Sequence, residues 1–196
     1  MNSDINLSSY KNQEPSSSLY EWFDSIIKAL IIILILLTFI FRVCTVVGDS
    51  MIGTLHEGEQ LVIYNFLYTP KENDIIVFHQ TGDYLNEPCV KRVIATGDKY
   101  VRIDYNNGTL FVSDDEIFTD EDIIDESSYA YLDSGEYDAR GVYEVYVPEG
   151  HLFVMGDNRN NSLDSRSELM GVIDEKTVLG KVLLRISPKD KFGIIN

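Results

Sequence analysis

The chain has few basic side chains for its length. Its 196 residues include 16 lysines and arginines against 32 aspartates and glutamates, which gives a formal net charge of −16 at pH 7. No cluster of lysine and arginine interrupts this acidity with a basic face, and a surface of this sign repels phosphate backbones. The composition therefore excludes nucleic acid from the expected partners.

Cysteine and histidine are also scarce. The two cysteines, Cys44 and Cys89, permit one disulfide without implying it, so we expect free thiols. None of the three histidines, His56, His79 and His151, lies in a recognisable catalytic context. A Ser-His-Asp triad has no sequence signature across folds, so it stays open as an alternative. No residue pattern indicates a metal or a cofactor.

One long apolar run lies near the N-terminus. Residues 29–41 are apolar except for Thr38, with Lys28 and Arg42 at the two ends. At about 1.5 Å per residue this run is shorter than a bilayer core of about 30 Å, so spanning requires both cations to snorkel. We predict a transmembrane helix over residues 22–45, with Trp22 at the membrane interface.

Two other interpretations of this run are a cleaved signal peptide and a buried core helix. A signal peptide begins with a positively charged region, whereas acidic residues outnumber lysines here, so we favour an uncleaved anchor. Lysine and arginine are too sparse on both sides to give the orientation. Residues 1–21 are predicted to be a disordered tail, and residues 46–196 one folded domain.

Short strands are predicted throughout the rest of the chain. Runs of β-branched and aromatic residues follow Gly, Pro and Asn-Gly turn signals, a pattern typical of a mainly β domain. The predicted strands are 61–64, 74–78, 90–94, 100–103, 110–112, 142–147, 152–155 and 178–186.

An acidic segment, residues 113–141, interrupts this succession of strands. It contains acidic runs at 114–116 and 120–122 and an acidic pair at 125–126. The spacing of an EF-hand calcium loop is absent, and acidic runs are usually solvated. We interpret the acidic segment as an exposed insertion rather than a calcium site.

Ser50 is the first candidate for chemistry, because it lies between Gly48 and Gly53 directly after the apolar run. A serine reacts as a nucleophile only if a base takes its proton and donors stabilise the oxyanion. Gly48 permits the close backbone approach that an oxyanion site built from main-chain N–H groups needs. The G-x-S-x-G elbow is not matched, because Ile52 stands where its second glycine belongs. A glycine-rich turn between strands is the structural alternative.

Lys91 is the candidate base. It alternates with Cys89 and Val93 on one face of a predicted strand, so its side chain is expected to point into the apolar interior. Burial alone can lower the pKa of a lysine far enough for the amine to be neutral near pH 8. The alternative is an ordinary surface lysine.

A loop dense in Gly, Asx and Ser, residues 156–166, follows the strand at 152–155. Such side chains satisfy loop backbone groups, and Asp164 can form a bidentate pair with Arg166 that fixes the loop. A structural turn explains much of this loop. It does not explain the presence of Ser50, Lys91 and the loop in one chain.

This combination resembles the type I signal peptidases, membrane-anchored Ser-Lys proteases that remove signal peptides from exported proteins. The resemblance covers the apolar run and most of residues 46–186, with the nucleophile motif at 48–55, the lysine motif at 91–98 and the last motif at 156–166. It implies that Ser50 is the nucleophile, Lys91 the general base, and that Ser162 orients the Lys91 amine. It also implies that Asp164 and Arg166 form a structural pair.

The resemblance implies a barrel-like, antiparallel catalytic domain on the extracytoplasmic side of the membrane. The expected partners are the lipid bilayer and signal peptides cleaved after small residues in an A-x-A pattern, with residues 74–78 as the substrate-side strand. Ser50 lies eight residues beyond Arg42, so it is expected within about 26 Å of the membrane surface, where the cleavage site of a signal peptide lies. The oligomeric state stays open.

Two positions depart from the family pattern. Gly48 stands where many members carry a side-chain hydroxyl, so only main-chain donors are expected in the oxyanion hole. Gly53 stands where the family usually has proline, which leaves the turn behind Ser50 freer. These departures affect the expected rate and substrate preference more than the reaction.

Two rival functions share features with this sequence. A non-catalytic, membrane-anchored assembly factor could keep the fold, and Gly53 and the acidic segment favour it. A self-cleaving regulator of the repressor type shares Ser-Lys chemistry, but the N-terminal tail offers no DNA-binding region, and the apolar run contradicts a cytosolic regulator.

Overall fold

A computed structural model describes residues 16–79, 87–130 and 141–195, with side chains from residue 19 onward. The chain divides into two compact units, Met1–Phe39 and Ile40–Asn196. The first described element, helix α1, covers Ser16–Ile40. Its stretch Leu19–Ile40 has a mean hydropathy of 2.5 and is long and apolar enough to cross a membrane.

The predicted helix boundaries, 22 and 45, are corrected at both ends. At the N-terminal end a helix that has already nucleated extends at little cost, so Ser16 to Glu21 are helical rather than part of a disordered tail. At the C-terminal end, Phe41–Thr45 forms a strand instead. Its β-branched residues suit a strand, and its backbone pairs with the next strand. The remainder of the predicted tail, residues 1–15, lies outside the described residues.

The described strands are antiparallel to their neighbours, which confirms the mainly β, antiparallel prediction. All eight predicted strands are present. The strands are β1 (Phe41–Thr45), β2 (Gln60–Tyr64), β3 (Ile75–His79), β4 (Pro88–Ala95), β5 (Lys99–Asp104), β6 (Thr109–Ser113), β7 (Val142–Val147), β8 (His151–Met155), β9 (Ile173–Asp174), β10 (Val178–Ser187) and β11 (Gly193–Ile194).

The strands form two sheets in the described part of the chain. The larger sheet has the order β1-β2-β10-β3-β4-β8-β9, with β11 beside β10, and the smaller sheet has the order β6-β5-β7. Alternate residues of β3 face opposite sides of the larger sheet, so Ile75 and Val77 join one apolar cluster while Ile76 and Phe78 join another. A third cluster packs between β8 and the smaller sheet.

Strand β3 lies inside the larger sheet rather than at an edge. It pairs with β4 on one side and with β10 on the other. Because both rows of backbone groups are occupied from Ile76 to Phe78, these residues cannot accept a substrate as an added strand. The role of residues 74–78 as the substrate-side strand stays a prediction.

The acidic segment is only partly an exposed insertion. Its residues 114–117 and 119–121 are exposed, but Glu126 and Tyr129 are partly buried, and their side chains contact residues of the larger sheet and the 156–166 loop. Residues 131–140 lie outside the described ranges. The prediction of an exposed insertion is therefore wrong for Glu126 and Tyr129.

Candidate active site

Ser50 lies in a tight turn that is anchored in the core. The N–H groups of Ile52 and Leu55 close the turn by donating to the carbonyls of Asp49 (3.1 Å) and Met51 (2.7 Å). The side chains of Met51 and Leu55 are 1% and 0% exposed, and both belong to the cluster that covers one face of the larger sheet. This burial holds the backbone around Ser50, whose own side chain is partly accessible.

Lys91 projects from β4 to Ser50. Its Nζ lies 2.6 Å from Ser50 Oγ, and only 5% of the lysine is exposed. Burial disfavours the charged amine and lowers the pKa of Lys91 from its ordinary 10.5, while the carboxylate of Asp164 opposes this shift without cancelling it. A weak nucleophile and an amine biased towards its neutral form are thus in hydrogen-bond contact.

Gly156 allows the last motif to approach the Ser50 turn closely. A Cβ atom at this position would lie 2.2 Å from Ser162 Oγ and 2.4 Å from the carbonyl oxygen of Ser50. Atoms cannot approach so closely, so glycine is required here for steric reasons. The N–H of Gly156 donates to Asp164 Oδ2 at 2.9 Å, which ties the start of the loop to its end.

Asp164 and Arg166 form the bidentate pair that was expected from the sequence. Arg166 Nε and Nη2 donate to Asp164 Oδ1 and Oδ2, both at 2.8 Å, and the side chains are 5% and 1% exposed. Burial alone would raise the pKa of Asp164, but the hydrogen bonds and charge of Arg166, together with the Gly156 N–H, hold it below its usual value. The pair is therefore ionised at neutral pH.

Ser162 lies beside the site, next to Gly156 and the Ser50 carbonyl. Its hydroxyl is buried and forms no hydrogen bond of acceptable geometry within the described residues, although it is near enough to Asp164 to help lower that pKa. Ser162 Oγ therefore makes no hydrogen bond to the Lys91 amine in this structure. The orienting role of Ser162 stays a prediction.

A second buried bidentate pair was not recognised in the sequence. Arg92 Nε and Nη2 donate to Asp157 Oδ1 (2.9 Å) and Oδ2 (2.8 Å), and the two side chains are 2% and 0% exposed. Thr54 Oγ1 also donates to Asp157 Oδ2. The pair thus joins β4, the 156–166 loop and the turn that carries Ser50.

Asn158 makes two further hydrogen bonds to the turn that carries Ser50, and the sequence did not predict them. Its backbone N–H donates to the Ser50 carbonyl at 3.0 Å, and its Nδ2 donates to the Asp49 carbonyl at 3.1 Å. The density of Asx residues after Gly156 was the available signal, since such side chains commonly bond to nearby backbone.

The two departures from the family pattern have different surroundings. Gly48 has φ +80°, and no atom lies within 4 Å of the position of a Cβ in the described structure, so its backbone conformation favours glycine although space is available. Gly53 has φ +105°, which proline cannot adopt. The turn behind Ser50 therefore has a shape that the usual family residue would not allow. The oxyanion role of Gly48 stays a prediction.

The cysteines and the acidic side chains that the structure describes form no further candidate centre. Cys44 and Cys89 are free thiols, as expected. Within the described ranges, no three His, Cys, Asp or Glu side chains are grouped so that they could hold a metal ion.

Comparisons with known proteins give one family. The family model described as Signal peptidase, peptidase S26, matches residues 19–187. A protein named Signal peptidase I from Bacillus licheniformis is 36% identical over 181 residues, covering 87% of this chain and 89% of the relative. A protein named Signal peptidase IB from Staphylococcus aureus (strain Mu50) is 33% identical over 192 residues, covering 89% of this chain and 92% of the relative.

Among solved structures, a crystal structure of a signal peptidase I from Enterococcus faecalis V583 matches with a TM-score of 0.38 and 24% identity. The match covers 59% of this chain and 98% of that chain.

Proposed function

The chain belongs to the signal peptidase family, peptidase S26, and from that membership we propose that it cleaves signal peptides with Ser50 as nucleophile and Lys91 as general base. It is a serine endopeptidase, and helix α1 is its membrane anchor. The observation that carries the proposal is the 2.6 Å contact between the buried Lys91 Nζ and Ser50 Oγ. Family membership favours the protease over the assembly factor and the repressor-type regulator.

The proposed reaction begins when the neutral Lys91 amine accepts the Ser50 hydroxyl proton while Oγ attacks the scissile carbonyl carbon. The carbonyl oxygen becomes an oxyanion, which main-chain N–H groups at 48–50 stabilise. The C–N bond then breaks, and the Lys91 ammonium gives its proton to the leaving amine. A water molecule, deprotonated by Lys91, hydrolyses the Ser50 ester and releases the signal peptide.

Strand β4 supplies an edge at which the substrate can bind. On the β8 side, β4 is paired from Arg92 to Ala95, whereas residues 88–91 have a β-sheet partner only on the β3 side in the described structure. An extended peptide adds to an unpaired edge through main-chain hydrogen bonds. We propose that the preprotein binds along residues 88–91, with its scissile bond at Ser50 and with catalysis on the extracytoplasmic side of the membrane.

The cleavage assay uses the full chain in detergent micelles or vesicles and a preprotein with alanine at the −3 and −1 positions. We expect a single cut after the −1 alanine, identified by the masses of both products. A matched preprotein with leucine at −1 is the control, because shallow pockets exclude it. Absence of cleavage of the alanine substrate at every pH would contradict the proposed activity.

The pH dependence follows from the environment of Lys91. Because burial lowers the pKa of Lys91 below 10.5, the amine is protonated and inactive at low pH and becomes a base as pH rises through that lowered value. We expect kcat/KM to rise with pH along one limb with a midpoint below 10.5. A step in kcat/KM at about pH 6.5 that disappears when His151 is replaced would indicate a histidine base instead.

A further inference from the structure

The Arg92–Asp157 pair connects the structural elements that carry Lys91 and Ser50. Arg92 follows Lys91 in β4, so the two side chains leave opposite faces of the strand, one towards Ser50 and one towards Asp157. Asp157 follows Gly156 and also accepts a hydrogen bond from Thr54 in the nucleophile turn. A displacement of this pair would therefore shift β4, which carries Lys91, relative to the turn that carries Ser50.

Tyr129 of the acidic segment contacts Arg92 of this pair. The guanidinium carbon of Arg92 lies 4.1 Å from the centre of the Tyr129 ring, and that of Arg159 lies 5.6 Å from it. Burial raises the pKa of Tyr129 to about 12, so the ring is a neutral phenol over the working pH range. Its hydroxyl is buried and has no hydrogen-bond partner in the described structure, so the contact depends on the ring.

Glu126 provides the second contact of the same turn. Its carboxylate pairs with Arg159 of the 156–166 loop, and the two side chains are 10% and 0% exposed. The N–H groups of Tyr129 and Ala130 donate to the Glu126 carbonyl at 3.1 and 2.9 Å. This single turn therefore contacts β4 and the loop as one unit.

A cavity of about 530 Å³ lies between this turn and the nucleophile turn. Its lining includes Tyr129 of the acidic segment, Thr54 of the nucleophile turn and Arg92 of β4. Loss of the Tyr129 ring would enlarge this cavity at Arg92 and admit water to the buried ion pair. Neither Glu126 nor Tyr129 lies among the residues with a role in the proposed reaction.

We propose that Glu126 and Tyr129 of the acidic segment are positioning residues for peptide-bond cleavage, because they hold Arg92 and Arg159 and so fix the Lys91 amine against Ser50. This inference rests on the proposed function. Glu126 and Tyr129 contribute by holding the two arginines in place, and they do not contact the substrate. A displacement of about 1 Å between reacting groups can reduce turnover by about a hundredfold.

The test compares Tyr129→Leu with Tyr129→Phe in the full-length protein, using the preprotein with alanine at −3 and −1. We expect Tyr129→Leu to lower kcat by about tenfold to a hundredfold with little change in KM, since Tyr129 is not part of the proposed substrate edge at 88–91. Tyr129→Phe keeps the ring and should restore wild-type kcat. The matched control is Phe118→Leu, which removes another aromatic ring of the acidic segment, 5.7 Å from Arg102 on β5, and should leave kcat unchanged.

Wild-type kcat in a folded Tyr129→Leu variant would overturn the proposal, and so would an equal loss of kcat in Phe118→Leu. If Tyr129→Leu does not fold, Glu126→Gln decides by the same measurements. It should lower kcat at unchanged KM, and wild-type kcat in that variant would overturn the proposal. Ser50→Ala is assayed in parallel. Activity in Ser50→Ala would refute the proposed function, whereas an inactive Ser50→Ala beside a fully active Tyr129→Leu would refute only the positioning role.

Discussion

Replacing Ser50 by alanine is expected to abolish preprotein cleavage, with kcat reduced by about 10⁶-fold, since in the proposed reaction its hydroxyl oxygen forms the new bond to the substrate. Lys91→Met should reduce kcat by about 10⁴-fold, because methionine fits the apolar surroundings but cannot accept a proton. The measurement is the rate of preprotein cleavage, and circular dichroism spectra establish that both variants are folded.

Lys99→Met is the matched control for the lysine variant. Lys99 lies on β5, the next strand in sequence, and pairs with Glu72 and Asp114 near the surface, where its side chain is 28% exposed. Its loss should leave cleavage unchanged. Full activity in Lys91→Met together with lost activity in His151→Ala would replace the Ser-Lys assignment by a histidine base.

Replacing Gly156 by alanine is expected to be the most damaging small substitution near the site. The added Cβ would collide with Ser162 Oγ at 2.2 Å and with the Ser50 carbonyl oxygen at 2.4 Å. Backbone oxygen cannot rotate away as a flexible side chain can, so the 156–166 loop must move from the nucleophile turn. We expect the free energy of unfolding to fall by about 3 kcal/mol and kcat to fall by about a hundredfold or more.

Gly193→Ala is the control for this substitution. No atom lies within 4 Å of a Cβ at Gly193 in the part of the chain that the structure describes, and its φ is not in the left-handed region. Denaturant unfolding and cleavage rates of the two variants are measured together. A Gly156→Ala variant with wild-type stability and rate would show that the loop can retreat without disturbing Ser50.

The regular strands and the inward direction of Lys91 could be predicted because their signals are local, whereas the contact between Ser50 and Lys91, 41 residues apart, was implied only by the family resemblance. Alternation along 90–94 predicted that Lys91 points inward, and its 5% exposure agrees with that expectation. Strands β9 and β11 have two residues each, too few for any periodicity to be visible. Strand β1 was assigned to the helix because its apolar residues continue the preceding run, and hydrophobicity alone does not separate a helix from a strand.

The contacts that frame the site could not be predicted for a different reason. Arg92 and Asp157 are 65 residues apart in sequence, and neither position carries a pattern that identifies its partner. The partial burial of the acidic segment could not be predicted, because composition describes only the average of its residues. Its exposed carboxylates are solvated as expected, whereas Glu126 faces a guanidinium that burial keeps from water.

The two acids of the 156–166 loop, Asp157 and Asp164, are both held by arginine rather than lysine. Arginine keeps its charge through the alkaline range in which a buried lysine becomes neutral. Asp164, whose pKa is lowered, loses its contribution to stability only as pH falls through that lowered value. On the proposed mechanism we therefore expect mild acid to stop cleavage by protonating Lys91 while the Asp164–Arg166 pair stays ionised, and we expect a return to alkaline pH to restore turnover without refolding.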